Sequence, residues 1–171
     1  MNVTGGQAFA TLDRLLDEAT RGSRYLSQPE IAQLVVEGLY FGMTVLRHYE
    51  LHAYVVMSNH VHMLVTPRVE MCKLMHSLKT ATARRANRVL RRTGEPFWQD
   101  EYYDHWVRDG MEFERIRRYI ERNPVRSGLA GSVEQYRWSS ASQQLAGRST
   151  QSAGQGAGSR PGGLPHFRIL E

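Results

Sequence analysis

The sequence predicts an α+β fold, an antiparallel sheet with helices packed on one face. Three observations carry that prediction. Apolar residues recur at helical spacing over Gln28–Arg47, over Glu70–Arg92 and from Asp109 to near Pro124. Between them lie runs rich in β-branched and aromatic residues: "YELHAYVVM" (Tyr49–Met57), "HVHMLVT" (His60–Thr66) and "EYYDHWVR" (Glu101–Arg108). The chain has 171 residues, 41% of them hydrophobic, which is enough for one good core.

In the first helix Ile31, Leu34, Val35, Leu39, Met43 and Leu46 share a face. Gly38 and Gly42 lie near it, and each costs about 1 kcal/mol against alanine in a helix, so a closely packed neighbouring layer is expected there. Only Ser58 and Asn59 separate the first two strand runs, which therefore form a hairpin. The second helix carries Met71, Leu74, Met75, Leu78, Thr82, Ala86 and Val89 on its apolar face and breaks at "TGEP" (Thr93–Pro96). The third strand alternates, with Trp106 expected in the core. Asp109 and Glu112 resemble a capping box. The helix they open turns Phe113, Ile116 and Ile120 inward and is expected to stop near Pro124, because the residue before proline disfavours α geometry.

Beyond Trp138 the chain drifts into "QLAGRSTQSAGQGAGSRPGG", and residues 142–171 read as a disordered tail. The order helix, strand, strand, helix, strand, helix fits a ferredoxin-like βαββαβ sandwich with its first strand missing. The start of the chain offers a helix over roughly Ala8–Ala19 and no convincing strand. On this reading the His60–Thr66 strand, or a neighbour, is left with an unpaired edge.

The net charge of +5 favours an anionic partner such as nucleic acid, with a plain basic surface as the other reading. The single cysteine, Cys72, gives no disulfide framework, which suits a reducing cytoplasm. Neither a signal peptide nor a membrane-spanning apolar run is evident, so a cytoplasmic protein without a membrane partner is expected.

His60 and His62 fall on one face of their strand, while Val61 and Met63 fall on the other. Two such imidazoles can ligate one metal ion; they can equally be strand histidines satisfied by hydrogen bonds, and the pattern alone does not decide. Tyr119 and Asn123 are four apart and share a helix face, offering a phenolic nucleophile and an amide oxygen that can complete a metal site. Arg115, Arg118 and Arg122 form a stripe beside Tyr119. Arg84, Arg85, Arg88, Arg91 and Arg92 crowd the end of the second helix, where they can neutralise phosphates or simply face solvent. Tyr102, Tyr103 and Trp106 are candidates to stack on unpaired bases or to fill the core.

Taken together, "LHAYVVMSNHVHMLVTP", "FWQDEYYDHWVRD", "RIRRYIERNPVRSGL" and "YRWSSA" give the chain its resemblance to a known family. Over roughly Tyr25–Ala141 it resembles the single-tyrosine HUH transposases, in particular the REP-associated tyrosine transposase branch. The resemblance implies that residues 1–141 are a catalytic domain, a metal-dependent endonuclease and strand transferase working on single-stranded or hairpin DNA. It implies a divalent cation, Mg²⁺ or Mn²⁺, on His60, His62 and Asn123, and Tyr119 as a nucleophile that forms a 5′-phosphotyrosine. Two other readings stand beside it: a non-catalytic nucleic-acid-binding domain derived from such a transposase, and a metal-dependent nuclease whose nucleophile is water. Monomer and homodimer are both left open.

Overall fold

The computed structural model describes residues 23–99, 102–142 and 165–170. Helix α1 (Pro29–Thr44) leads into strands β1 (Tyr49–Val56) and β2 (Val61–Pro67), then helix α2 (Met71–Val89), strand β3 (Tyr102–Trp106), helix α3 (Gly110–Arg126) and strand β4 (His166–Leu170). The helix expected over Ala8–Ala19 lies outside the described residues. No described helix is long and apolar enough to cross a membrane.

Pro29 starts α1 at a position where its missing N–H costs nothing. The hairpin between β1 and β2 is closed by the Met57 amide donating to the His60 carbonyl (2.8 Å). A register shift between Leu51 and Ala53 puts a bulge into β1.

All four strands pair antiparallel in the order β1-β2-β4-β3. Both β2 and β3 are antiparallel to β4, so they run parallel to each other and β2-α2-β3 is a split βαβ unit whose gap β4 fills. This corrects the expectation of a disordered C-terminus: residues 166–170 form a central strand, and every one of them is buried. The expected first strand is not needed, because the chain fills that slot from its other end. Neither edge of β2 is open. Five residues are too few for alternation to rise above background in a sequence, which is why "HFRIL" did not read as a strand.

A second correction concerns the helices, which cover both faces. Helices α1 and α2 pack on Tyr54, Val56, Val61, Met63, Val65 and Leu170. Helix α3 brings Ile116 and Ile120 against Ala53, Val55, Leu64, Phe167 and Ile169 on the opposite face. The central strands are apolar on both sides, so a cover on one face would leave the other in water. Trp106, expected in the core, is 57% exposed at the end of edge strand β3, leaning on the buried His166 ring at 4.2 Å.

The free edge of β1 is covered by the segment after α3. The Val56 amide donates to the Trp138 carbonyl (2.9 Å), and the Tyr54 amide donates to Ser140 Oγ (3.2 Å). The Tyr136 hydroxyl donates to the Val56 carbonyl (2.8 Å), and burial pushes its phenol up to about 12.

The close approach expected at the α1 glycines is present. A Cβ built on Gly38 would stand 2.5 Å from Thr82 Cγ2. Thr82 has little room to give, since its hydroxyl donates to the Leu78 carbonyl (2.7 Å) and accepts from Trp98 Nε1 (2.9 Å). Helix propensity alone favours Gly38→Ala by about 1 kcal/mol. Overpacking is predicted to win, with a net destabilisation of about 1–2 kcal/mol. Urea unfolding checks the sign, and a stabilised variant would show that Thr82 yields.

Candidate active site

Strand β2 aims His62 at α3, and His60 sits just before it at the hairpin. Both rings are fully buried, and their Nε2 atoms stand 2.9 Å apart. His60 Nδ1 lies 2.8 Å from Asn59 Oδ1. An amide oxygen only accepts, so His60 carries its proton on Nδ1 and turns the Nε2 lone pair inward.

Helix α3 supplies the other half. Its N-terminus is the capping box the sequence suggested: Asp109 Oδ1 accepts from the Glu112 amide (2.8 Å), and Glu112 Oε2 accepts from the Arg108 amide (2.8 Å). The helix does not stop before Pro124, as expected, but runs through it to Arg126. Pro124 falls in the last turn, so its lost N–H removes one hydrogen bond and breaks no long run. Gly128, at φ 70°, then ends the helix: Leu129 N–H donates to the Pro124 carbonyl (2.8 Å) and Gly128 N–H to the Val125 carbonyl (3.1 Å).

Because Asn123 keeps α geometry, it stays one turn from Tyr119 on the same face. Asn123 is fully buried, with Nδ2 3.0 Å from His62 Nε2, and its Oδ1 accepts from Ser127 Oγ (3.2 Å). The half-buried Tyr119 ring meets His62 edge-on, with centroids 6.2 Å apart. The guanidinium of Arg126 lies 4.8 Å from the centroid of the Tyr119 ring.

This donor set fits a divalent cation. Two ligand atoms about 2.1 Å from one ion and at right angles stand about 3 Å apart, which is the separation of the two Nε2 atoms. Turning the Asn123 amide would bring Oδ1 towards His62 and leave Nδ2 facing the Ser127 hydroxyl, which can accept. No group of three His, Cys, Asp or Glu residues able to hold a metal occurs among the described residues; the Asn123 amide is a further donor group set beside His62. Three neutral donors would leave a bound cation's charge uncancelled, the condition for Lewis-acid chemistry.

The arginines do not form one patch. Arg118 and Arg122 are exposed on α3, where Arg115 pairs with Glu112 (3.3 Å). Arg84, Arg88 and Arg91 are exposed on or just after α2, across the sheet. Arg85 pairs with Glu37 (2.6 Å), while Arg92 pairs with Glu95 and lies over the Tyr25 ring. The side chains of Tyr102 and Tyr103 lie outside the described part of the structure.

The model of the family described as "Transposase IS200 like" matches residues 42–123. Over these residues the chain is similar to the IS200-like transposase family. The IS200-like segment contains His60, His62, Tyr119 and Asn123 and ends well before β4. Among solved structures, a REP-associated tyrosine transposase bound to a REP hairpin is similar, with a TM-score of 0.57 and 17% identity, covering 85% of this chain and 86% of that chain. At that identity the likeness is one of fold. A comparison with curated proteins finds no match.

Four contributors to the site were not singled out from the sequence. Asn59, Arg126 and Ser127 sit within or beside the motifs of the IS200-like segment, where their neighbours gave a signal. Phe167, whose ring stacks on His62 (5.6 Å), lies outside that segment, and nothing local marked it.

Burial pushes the Glu112 carboxyl up, but the Arg108 amide, His105 and Arg115 outweigh it and hold it below its ordinary value of 4.5. A depressed folded-state value means the cap stabilises fully above the unfolded value and is lost as pH falls through the folded one. Glu112→Gln is predicted to cost about 1 kcal/mol near neutral pH. The gap from wild type should shrink steadily below about pH 4. Denaturation midpoints across that range check it, and a pH-independent gap would mean the carboxylate charge contributes nothing.

Proposed function

We propose that the chain is a metal-dependent single-strand DNA endonuclease and strand transferase of the REP-associated tyrosine transposase kind, acting on single-stranded or hairpin DNA. The observation that carries this reading is that His62 Nε2 stands 2.9 Å from His60 Nε2 and 3.0 Å from Asn123 Nδ2, with the Tyr119 ring edge-on to the same imidazole. Fold likeness to a transposase bound to a hairpin supports the choice of DNA.

His60, His62 and Asn123 would hold Mg²⁺ or Mn²⁺, which would supply Lewis-acid polarisation of the scissile phosphate. Tyr119 is the nucleophile. Its phenolic oxygen forms a bond to phosphorus as the bond to the 3′ oxygen breaks, leaving a 5′-phosphotyrosine and a free 3′-OH. The phosphodiester is conserved in that linkage, so a 3′-OH can reseal the strand without a nucleotide cofactor. Ionising a phenol of pKa near 10 at neutral pH costs about 4 kcal/mol. The guanidinium of Arg126 over the Tyr119 ring offsets part of that cost. Arg118 and Arg122, exposed on the same helix, are suited to neighbouring phosphates, and exposed Trp106 offers a ring to an unpaired base.

Incubation with end-labelled hairpin DNA and Mn²⁺, resolved on a denaturing gel, tests the reading. Wild type should form a covalent protein–DNA adduct, and Tyr119→Phe should bind the same DNA with no adduct. Nicking by the variant at the wild-type rate would make water the nucleophile. Binding by wild type with neither nick nor adduct would reduce the protein to a nucleic-acid-binding domain.

Arg122→Ala and Arg88→Ala separate the two arginine groups. Each that contacts a phosphate should weaken binding across sequences and lower the salt slope by about 1. Only Arg122→Ala is predicted also to slow cleavage of bound DNA, since α2 lies across the sheet from Tyr119. Affinity indifferent to salt would remove the electrostatic argument.

A further inference from the structure

We infer that Phe167, on the C-terminal strand, is a positioning residue for His62, so that β4 is part of the active site although it lies outside the family-matched segment. The inference rests on the metal reading above and names a residue which that reading does not require.

The imidazole of His62 has a broad torsion about its Cβ–Cγ bond, so rotamer preference alone does not fix its plane. Its neighbours have to. Phe167, fully buried, stacks on the ring with the two planes 17° apart and centroids 5.6 Å apart. Tyr119 and His60 both meet the same ring edge-on, at 6.2 and 4.7 Å. The near-parallel phenyl ring braces the face of the imidazole and so helps hold the His62 plane, in which Nε2 stands 2.9 Å from His60 Nε2 and 3.0 Å from the Asn123 amide.

The strand register delivers Phe167 to this place. Phe167 pairs with Leu64 and Ile169 with His62, so Phe167 is the diagonal neighbour of His62 on one face, within reach of an aromatic ring. A slip of one residue would turn it to the other face. Asp104 on β3 opposes that slip, because it holds His166 Nδ1 (3.2 Å) and Arg168 Nη2 (2.9 Å) on the two β4 residues that flank Phe167.

The test is Mn²⁺ titration by calorimetry on the full chain, paired with thermal melting. Phe167→Leu keeps an apolar side chain but removes the flat ring. Leu170→Val trims the same strand on the opposite face, in the α1/α2 core. The expected result is a loss of about tenfold in Mn²⁺ affinity for Phe167→Leu, in the range seen when outer-shell partners are altered. Leu170→Val should lower the melting temperature and leave Mn²⁺ affinity within about twofold, below that outer-shell range. Unchanged affinity in Phe167→Leu, or an equal loss in Leu170→Val, would overturn the positioning role and leave the metal reading standing. No Mn²⁺ binding by wild type would overturn both. If Phe167→Leu does not fold, Phe167→Met carries the same expectation and the same overturning result.

Discussion

The pairing of β4 between β2 and β3 is the constraint on which the rest of the molecule depends. In the order β1-β2-β4-β3, strand β3 meets the sheet only through β4. Helix α3, which carries Tyr119 and Asn123, is launched from the end of β3. The distance from the histidine strand to the tyrosine helix is thus set partly by a strand from the other end of the chain. Two ladders hold that strand, and the contacts of Asp104 with His166 and Arg168 fix which residue faces which core. Burying the Arg168 guanidinium would be costly without its carboxylate partner, so a register that parts it from Asp104 is disfavoured.

The site is the meeting of two periodicities. A strand puts residues two apart on one face, and a helix does the same for residues four apart. His60 with His62, and Tyr119 with Asn123, each satisfy their own rule. Bringing the pairs together takes the rotation of α3, set by Ile116 and Ile120 in the core, and its axial position, set by the Asp109 and Glu112 cap. Passage of the helix through Pro124 matters for the same reason. Had it ended before proline, Asn123 would have left α geometry and turned away from His62.

Positive charge is distributed, not gathered. Arg85 and Arg92 are engaged with Glu37 and Glu95, while Arg84, Arg88 and Arg91 face solvent on the side of the sheet away from Tyr119. The α3 arginines share a helix with Tyr119. A nucleic acid held by both groups would have to pass around the sheet edge, where Trp106 is exposed on β3.

The sequence by itself determined three helices, the hairpin, the α3 cap and the four residues of the candidate site. Each rests on an interaction within a few residues, such as apolar spacing, the Asp109–Glu112 box or the identity of His60 and His62, and local signals survive in a linear reading. The glycines of α1 also announced their close contact, since glycine inside a helix is unfavourable without a reason for it. Only the tertiary structure decided that α3 covers the second face of the sheet, that Trp106 is exposed and that the helix passes through Pro124. It alone placed "HFRIL" in the centre of the sheet. Those outcomes depend on which surfaces remain to be buried once the strands have paired. A five-residue strand with one buried arginine acquires its conformation from the ladders on either side of it, and not from its own residues.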